Sequence, residues 1–208
     1  MFTPSATLGD VIGAIAQFFG AAMTVAGAVW LARLDSRRAR HDLEQEQEEF
    51  LALVRAGASS LQSALVSTIA NLRSLQLQLQ NAEKLHPDSE LSDELWSALR
   101  LNALDCMIEV PSALAVSGTH ARFLTDAALT KIADATALAN AVNAKLRFAS
   151  DTLNHKWLCA QARDYQDRVL NAANLAHSQV VELSEFLVVR RPDAVRVFGL
   201  AGDKPAAE

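Results

Sequence analysis

From Val11 to Ala32 the chain runs for 22 residues without a charge. As a helix this stretch is about 33 Å long, close to the hydrocarbon thickness of a bilayer. A segment in lipid must satisfy every backbone N–H and C=O internally, so a single run of this kind has only the helix open to it. Trp30 stands one turn before the first following charge, at the level of an interfacial aromatic. No Lys or Arg precedes Arg33, whereas Arg33, Arg37, Arg38 and Arg40 follow in quick succession. A cleaved signal peptide carries its basic residues before the apolar run, so these flanks predict a retained span. The same arginines set the topology: a short extracytoplasmic N-terminus (1–9), a transmembrane helix (10–34) and a cytoplasmic remainder, in the inner membrane with lipid as an obligate partner. The later stretch VVELSEFLVV is short and holds Glu182 and Glu185, so one span is expected.

The span is not uniformly apolar. Asp10, Gln17 and Thr24 recur every seventh residue with Leu31 continuing the series, and Gly13, Gly20 and Gly27 recur between them. Merged, the positions step by three and four, an a/d heptad with polar a sites and glycine d sites. Such a pattern drifts only about 20° per heptad on a straight helix and therefore keeps one face. Val11, Ile12, Ile15, Phe18, Phe19, Met23, Val25 and Val29 cover the others. Two readings fit. In the first, small residues let helices approach closely, helped by Gly9 and Gly13 as GxxxG and by Gln17 as a hydrogen-bonding group. In the second, the stripe lines the axis of a ring of helices, with an Asp10 ring at the outer mouth favouring cations. Both direct this face to protein or water, and both predict a homo-oligomer.

Arg33 leads into LDSRRARHDLEQEQEEF with no Gly or Pro, so the membrane helix is expected to continue into a long juxtamembrane helix (35–84). Its second half carries another heptad: Leu51, Val54, Ala58, Leu61, Leu65, Thr68, Leu72, Leu75 and Leu79. Four heptads reach the length at which a coiled-coil seam is credible. Leu53, Val66, Ile69 and Leu77 lie off the seam and widen the apolar face, which predicts packing against the chain's own helices as well. The two heptads differ in register by one residue, a mismatch that local over-twisting or a stammer absorbs.

Few Gly and Pro, 6% aromatics and abundant Ala and Leu favour an all-α fold. Pro87 with Asp88 and Glu90 reads as the start of a second helix, which Pro111 ends or kinks. Ser117-Gly118-Thr119 reads as a turn with Thr119 as an N-cap for a third helix, and Ser150-Asp151-Thr152 as a turn before a fourth. These helices (85–190) complete a cytoplasmic antiparallel bundle, followed by a tail (191–208).

Little in the sequence points to catalysis. GxxxxGK[ST], GxGxxG and GxSxG are all missing. His41, His86, His120, His155 and His177 form no HExxH or i, i+4 pair, so no metal site and no cofactor is expected. Cys106 and Cys159 read as buried reduced thiols. Asp164 and Asp167 beside Arg163 and Arg168 read as ion pairs on a solvated face. Arg190 and Arg191 complement a helix C-terminus, or together with Arg196 hold a small anionic ligand. A net charge of −5 and a pI near 5.5 argue against general nucleic-acid binding.

These readings converge on a non-enzymatic, homo-oligomeric single-span protein: an ion channel or membrane-perturbing effector gated by its cytoplasmic helices. In architecture alone this resembles bacterial defence effectors that damage the membrane on sensing a cytoplasmic signal; no motif carries the likeness. The alternative is a membrane-anchored scaffold or adaptor whose bundle binds a cytoplasmic protein.

Overall fold

A computed structural model describes residues 8–86, 88–116, 118–151 and 157–196, with side chains described from Met23 onward except at 149 and 151. The expected N-terminal segment before Leu8 and the tail beyond Arg196 lie outside the described residues. The described residues are 87% helical and contain no strand, only two isolated β-bridges, Glu90 with Leu158 and Leu124 with Val195. The fold is all-α.

Among the described residues five α-helices follow in order: α1 Leu8–Leu85, α2 Asp93–Asp105, α3 Asp126–Asp151, α4 Cys159–Val189 and α5 Arg191–Ala194, with 3₁₀ turns at Ser112–Leu114 and Gly118–Phe123. The chain divides into two compact units, Met1–Glu49 and Phe50–Glu208, and the division falls within the sequence of α1.

In the first unit the described helix is solvent-facing almost throughout. Its internal bonds are local: Ser36 Oγ donates to the Ala32 carbonyl at 2.8 Å, and Gln45 Nε2 donates to Glu49 at 2.9 Å.

The second unit is built on the leucine seam. All nine seam residues are buried, Val54, Leu61, Leu65 and Leu79 completely. They face their own chain: Leu51 to Leu72 join Ile132, Val142, Leu146, Val169, Val180 and Leu183 of α3 and α4 in one core. Leu75 and Leu79 join Leu91, Leu99, Cys159 and Ala162 in a second, smaller core. The face expected to form a coiled-coil seam is therefore already filled by intramolecular packing. Of the four residues expected to widen it, only Ile69 is buried; Leu53, Val66 and Leu77 are exposed.

Cross-helix bonds run in opposite sense along α1 and α4. Arg55 donates to the Leu187 carbonyl at 3.0 and 3.2 Å, Gln166 Nε2 to the Leu72 carbonyl at 2.8 Å, and Arg163 meets Glu83 at 2.6 Å. Partner numbers on α4 thus fall as they rise on α1.

Several boundaries differ from those read in the sequence. α2 starts at Asp93, after Asp88 and Glu90, because Ser92 Oγ accepts from Leu95 N–H and because segment 89–91 bonds instead to the approach to α4. There Leu91 N–H donates to the Trp157 carbonyl at 2.9 Å and Cys159 N–H to the Ser89 carbonyl at 3.0 Å. α2 ends at Asp105, ahead of Pro111, where Asn143 takes both backbone groups of Ile108, at 2.8 and 2.7 Å. Thr119 lies inside a 3₁₀ turn, and Thr125 caps α3 by accepting from Ala128 N–H at 3.3 Å. Gly118 has φ +63°, a left-handed backbone that costs glycine little. The segment read as the start of a tail is docked. Pro192 falls in the first turn of α5, Thr125 N–H donates to the Ala194 carbonyl at 3.0 Å, and Arg196 N–H donates to the Phe123 carbonyl at 3.2 Å.

Candidate functional site

The residues singled out as pore-lining or helix-packing fall in two groups. Asp10, Gly13, Gln17 and Gly20 belong to the helical backbone of α1, and their side chains lie outside the described residues. Thr24, Gly27 and Leu31 are described, and all are exposed. So are Met23, Val25, Val29 and Trp30 around them, Met23 by 74%. A Cβ built on Gly27 meets no atom within 4 Å, so this part of the stripe is open space within one chain. Large apolar side chains left in this state call for lipid or another protein surface.

One helix among the described residues, Met23–Leu85, is long and apolar enough to cross a membrane by length and composition. A third of its most apolar window is buried in the protein's own fold.

Arg33, Arg37, Arg38 and Arg40 are exposed and follow the apolar stretch directly. Beyond them Glu44, Glu46, Glu48 and Glu49 change the sign of the helix surface within about one and a half turns.

Arg190, Arg191 and Arg196 have different surroundings in the structure. Arg190 lines a recess of about 350 Å³ with Lys131, Glu182 and Glu185, so carboxylates share its surroundings. Arg196 is bonded to the Asp126 carboxylate at 2.6 Å. Arg191 opens α5. Arg163 pairs with Glu83, whose hydrogen bond and charge raise the guanidinium's pKa still further, and Arg168 pairs with Asp164 at 2.5 Å.

The thiols of Cys106 and Cys159 are free and buried. Burial pushes the Cys106 thiol up to about 11, so it stays protonated and poorly nucleophilic at neutral pH. Thr68, the polar member of the leucine seam, donates to the Cys106 carbonyl at 3.1 Å and so satisfies its hydroxyl inside the core. Among the described residues no group of three or more His, Cys, Asp or Glu is placed to hold a metal ion.

Sequence reasoning missed three residues that hold this region together. Gln166 is 1% exposed and bonds α4 to α1. Asn143 clamps Ile108 as described above. At Gly57 a Cβ would stand 3.3 Å from both Ala113 Cβ and Leu114 Cγ, so the 3₁₀ turn sits directly on the helix there. A glycine inside an otherwise strong helix was the available signal for this last contact, since glycine costs about 1 kcal/mol against alanine there.

No protein-family model, curated protein or solved structure matches this chain. Any function must therefore be argued from its own residues.

Proposed function

We propose that the chain is a non-enzymatic, single-span inner-membrane protein, N-terminus outside, that self-associates through the Gly/polar stripe of α1. In this reading it acts as an ion channel or membrane-perturbing effector governed by its cytoplasmic antiparallel bundle. The observation that carries the reading is the uncharged run Val11–Ala32, whose polar residues and glycines share one helical face. The partition of α1 supports it. The leucine seam is filled by the chain's own helices, which leaves the first stretch as the one in need of an outside partner. The arginines directly after that stretch favour cytoplasmic placement of everything that follows.

The test is ion flux from liposomes containing the purified protein, with Gln17→Leu and Gly20→Leu as variants. A water-holding axis predicts altered conductance for Gln17→Leu with assembly retained, and weakened assembly for Gly20→Leu. A protein that stays monomeric in mild detergent and passes no ions sinks the reading and leaves the membrane-anchored scaffold standing.

A further inference from the structure

The cations that follow the uncharged run are all arginines: Arg33, Arg37, Arg38 and Arg40, with no lysine among them. All four are exposed, and among the described residues none of them is in an ion pair, although Asp35 and Asp42 are close in sequence. Helix geometry sorts them onto two faces. At about 100° per residue, Arg33, Arg37 and Arg40 fall within an arc of about 60°, with Trp30 beside it. Arg38 falls instead in line with Thr24, Gly27 and Leu31, roughly 140° away, and Asp35 and Asp42 lie on that side too. The face with three arginines is therefore the one turned away from the Gly/polar stripe. Toward the N-terminus it continues into Met23, Val29 and Trp30, all exposed.

Depth along the helix sorts the charges a second time. The headgroup layer of one leaflet is about 5–7 Å thick. Arg33 directly follows Ala32, Arg37 stands about 6 Å further along the axis, and Arg40 about 10 Å. Helical side chains lean toward the N-terminus, here toward the bilayer, so long arginine side chains at all three positions reach back to phosphate level. The first carboxylate on the same arc is Glu44, about 16 Å beyond Arg33 and roughly two Debye lengths away at physiological salt. Cations close to the surface and acids held beyond it match a surface of negative charge. The residue type narrows the match. A guanidinium offers two parallel N–H donors to a pair of phosphate oxygens, where an ammonium offers a point charge. A zwitterionic headgroup brings its own cation to compete for that phosphate, and an anionic headgroup does not.

We infer that Arg33, Arg37 and Arg40 bind the phosphates of anionic phospholipids in the cytoplasmic leaflet, on the face of α1 turned away from the self-association stripe. The inference rests on the single-span reading above; it adds the class of lipid and the residues that select it. It stands whether or not α1 conducts ions.

The test is native mass spectrometry of the full-length protein in detergent with equimolar phosphatidylglycerol and phosphatidylcholine, counting lipid retained per protomer. Phosphatidylglycerol is retained ~10-fold more strongly. Arg37→Gln lowers its affinity by ~5-fold, and Arg33→Gln/Arg37→Gln by ~20-fold. Arg38→Gln makes the same change in net charge as Arg37→Gln but on the other face, and leaves the affinity within ~1.5-fold. Each variant keeps at least two of the four arginines and the parent's helical circular dichroism. Equal retention of the two lipids overturns the proposal. So do equal losses from Arg37→Gln and Arg38→Gln, which would reduce the effect to net charge. Alkaline carbonate extraction of membranes tells the two possible failures apart. A protein washed off by carbonate has no span, and the proposal falls with that reading. A protein that stays in the membrane yet shows no preference for phosphatidylglycerol sinks this proposal alone.

Discussion

Glycine stands in both halves of α1, and the surroundings differ. At Gly27 an added Cβ meets nothing within 4 Å; at Gly57 it meets Ala113 and Leu114 at 3.3 Å. The same contrast holds for the seams to which the two halves belong. Leu31 is 56% exposed and Leu65 completely buried. The three-four spacing therefore announces a packing face but does not name its partner. The residue types do that. A leucine seam in water gains from burial against any apolar surface, and the nearest surfaces are the chain's own α3 and α4. A glycine and polar seam inside lipid has no such driving force and depends on close approach and hydrogen bonds to another span.

Leucine truncation sharpens this contrast most. Leu65→Ala is expected to lower the unfolding free energy of the second unit by about 3 kcal/mol, since the cavity lies among residues of three helices. Leu31→Ala should leave it within about 0.5 kcal/mol. Urea unfolding of the full chain in detergent, followed by near-UV circular dichroism, reads both. Equal losses would mean that the two seams are not separate in energy.

The glycines come next. Gly57→Val forces branched carbons against the Ser112–Leu114 turn and should cost about 2 kcal/mol, an overpacking penalty. Gly27→Val has open space within the chain, so the second unit should unfold as before. Any loss of self-association measured by cross-linking or sedimentation then reports contact with another copy. Unchanged association would remove Gly27 from the proposed interface.

How much of this was legible in the sequence follows from the range of each interaction. The leucine seam is periodic, and periodicity is a local property, so all nine buried positions could be read directly. Leu53, Val66 and Leu77 could not be separated from Ile69, because hydrophobicity alone does not say how wide a face its neighbours cover. Gln166 and Asn143 matter through bonds to Leu72 and Ile108, distant in sequence, and no nearby residue advertises them. α4 stops at Val189, just ahead of Arg191-Pro192. Pro192 then sits in the first turn of α5, where a proline ring is well suited, and α5 docks beside Thr125. The three arginines near this point are charged alike and close in sequence. Their surroundings nonetheless differ: Arg196 pairs with Asp126, and Arg190 lines a recess with Glu182 and Glu185, which composition does not foretell.

The sealed state of the second seam has a consequence at high pH. The folded protein holds the Cys106 proton up to about 11, whereas the ordinary thiol releases it near 9.0. Between these values the unfolded chain binds fewer protons than the folded one, so stability falls as pH rises. By about pH 10.5 the loss attributable to this thiol should be about 2 kcal/mol, and below about pH 8 there should be none. Comparison with Cys106→Ala across that range isolates it from the lysines and Tyr165. Parallel pH profiles for the two proteins would mean that the thiol reaches water.

The smallest effect distinguishes the two threonines. Each seam contains one, Thr24 in the first and Thr68 in the second. Thr68 is 4% exposed and donates across the core to the Cys106 carbonyl at 3.1 Å. Thr68→Val keeps the shape and removes the donor, leaving a buried carbonyl short of a partner at a cost of about 1 kcal/mol. Thr24→Val makes an exposed helix position apolar and should not move the unfolding of the second unit. Its effect belongs in assembly or conductance. If Thr68→Val were neutral in urea unfolding, the Cys106 carbonyl would have to find another donor, and the seam's one polar residue would be a tolerated substitution and not a tie between α1 and the end of α2.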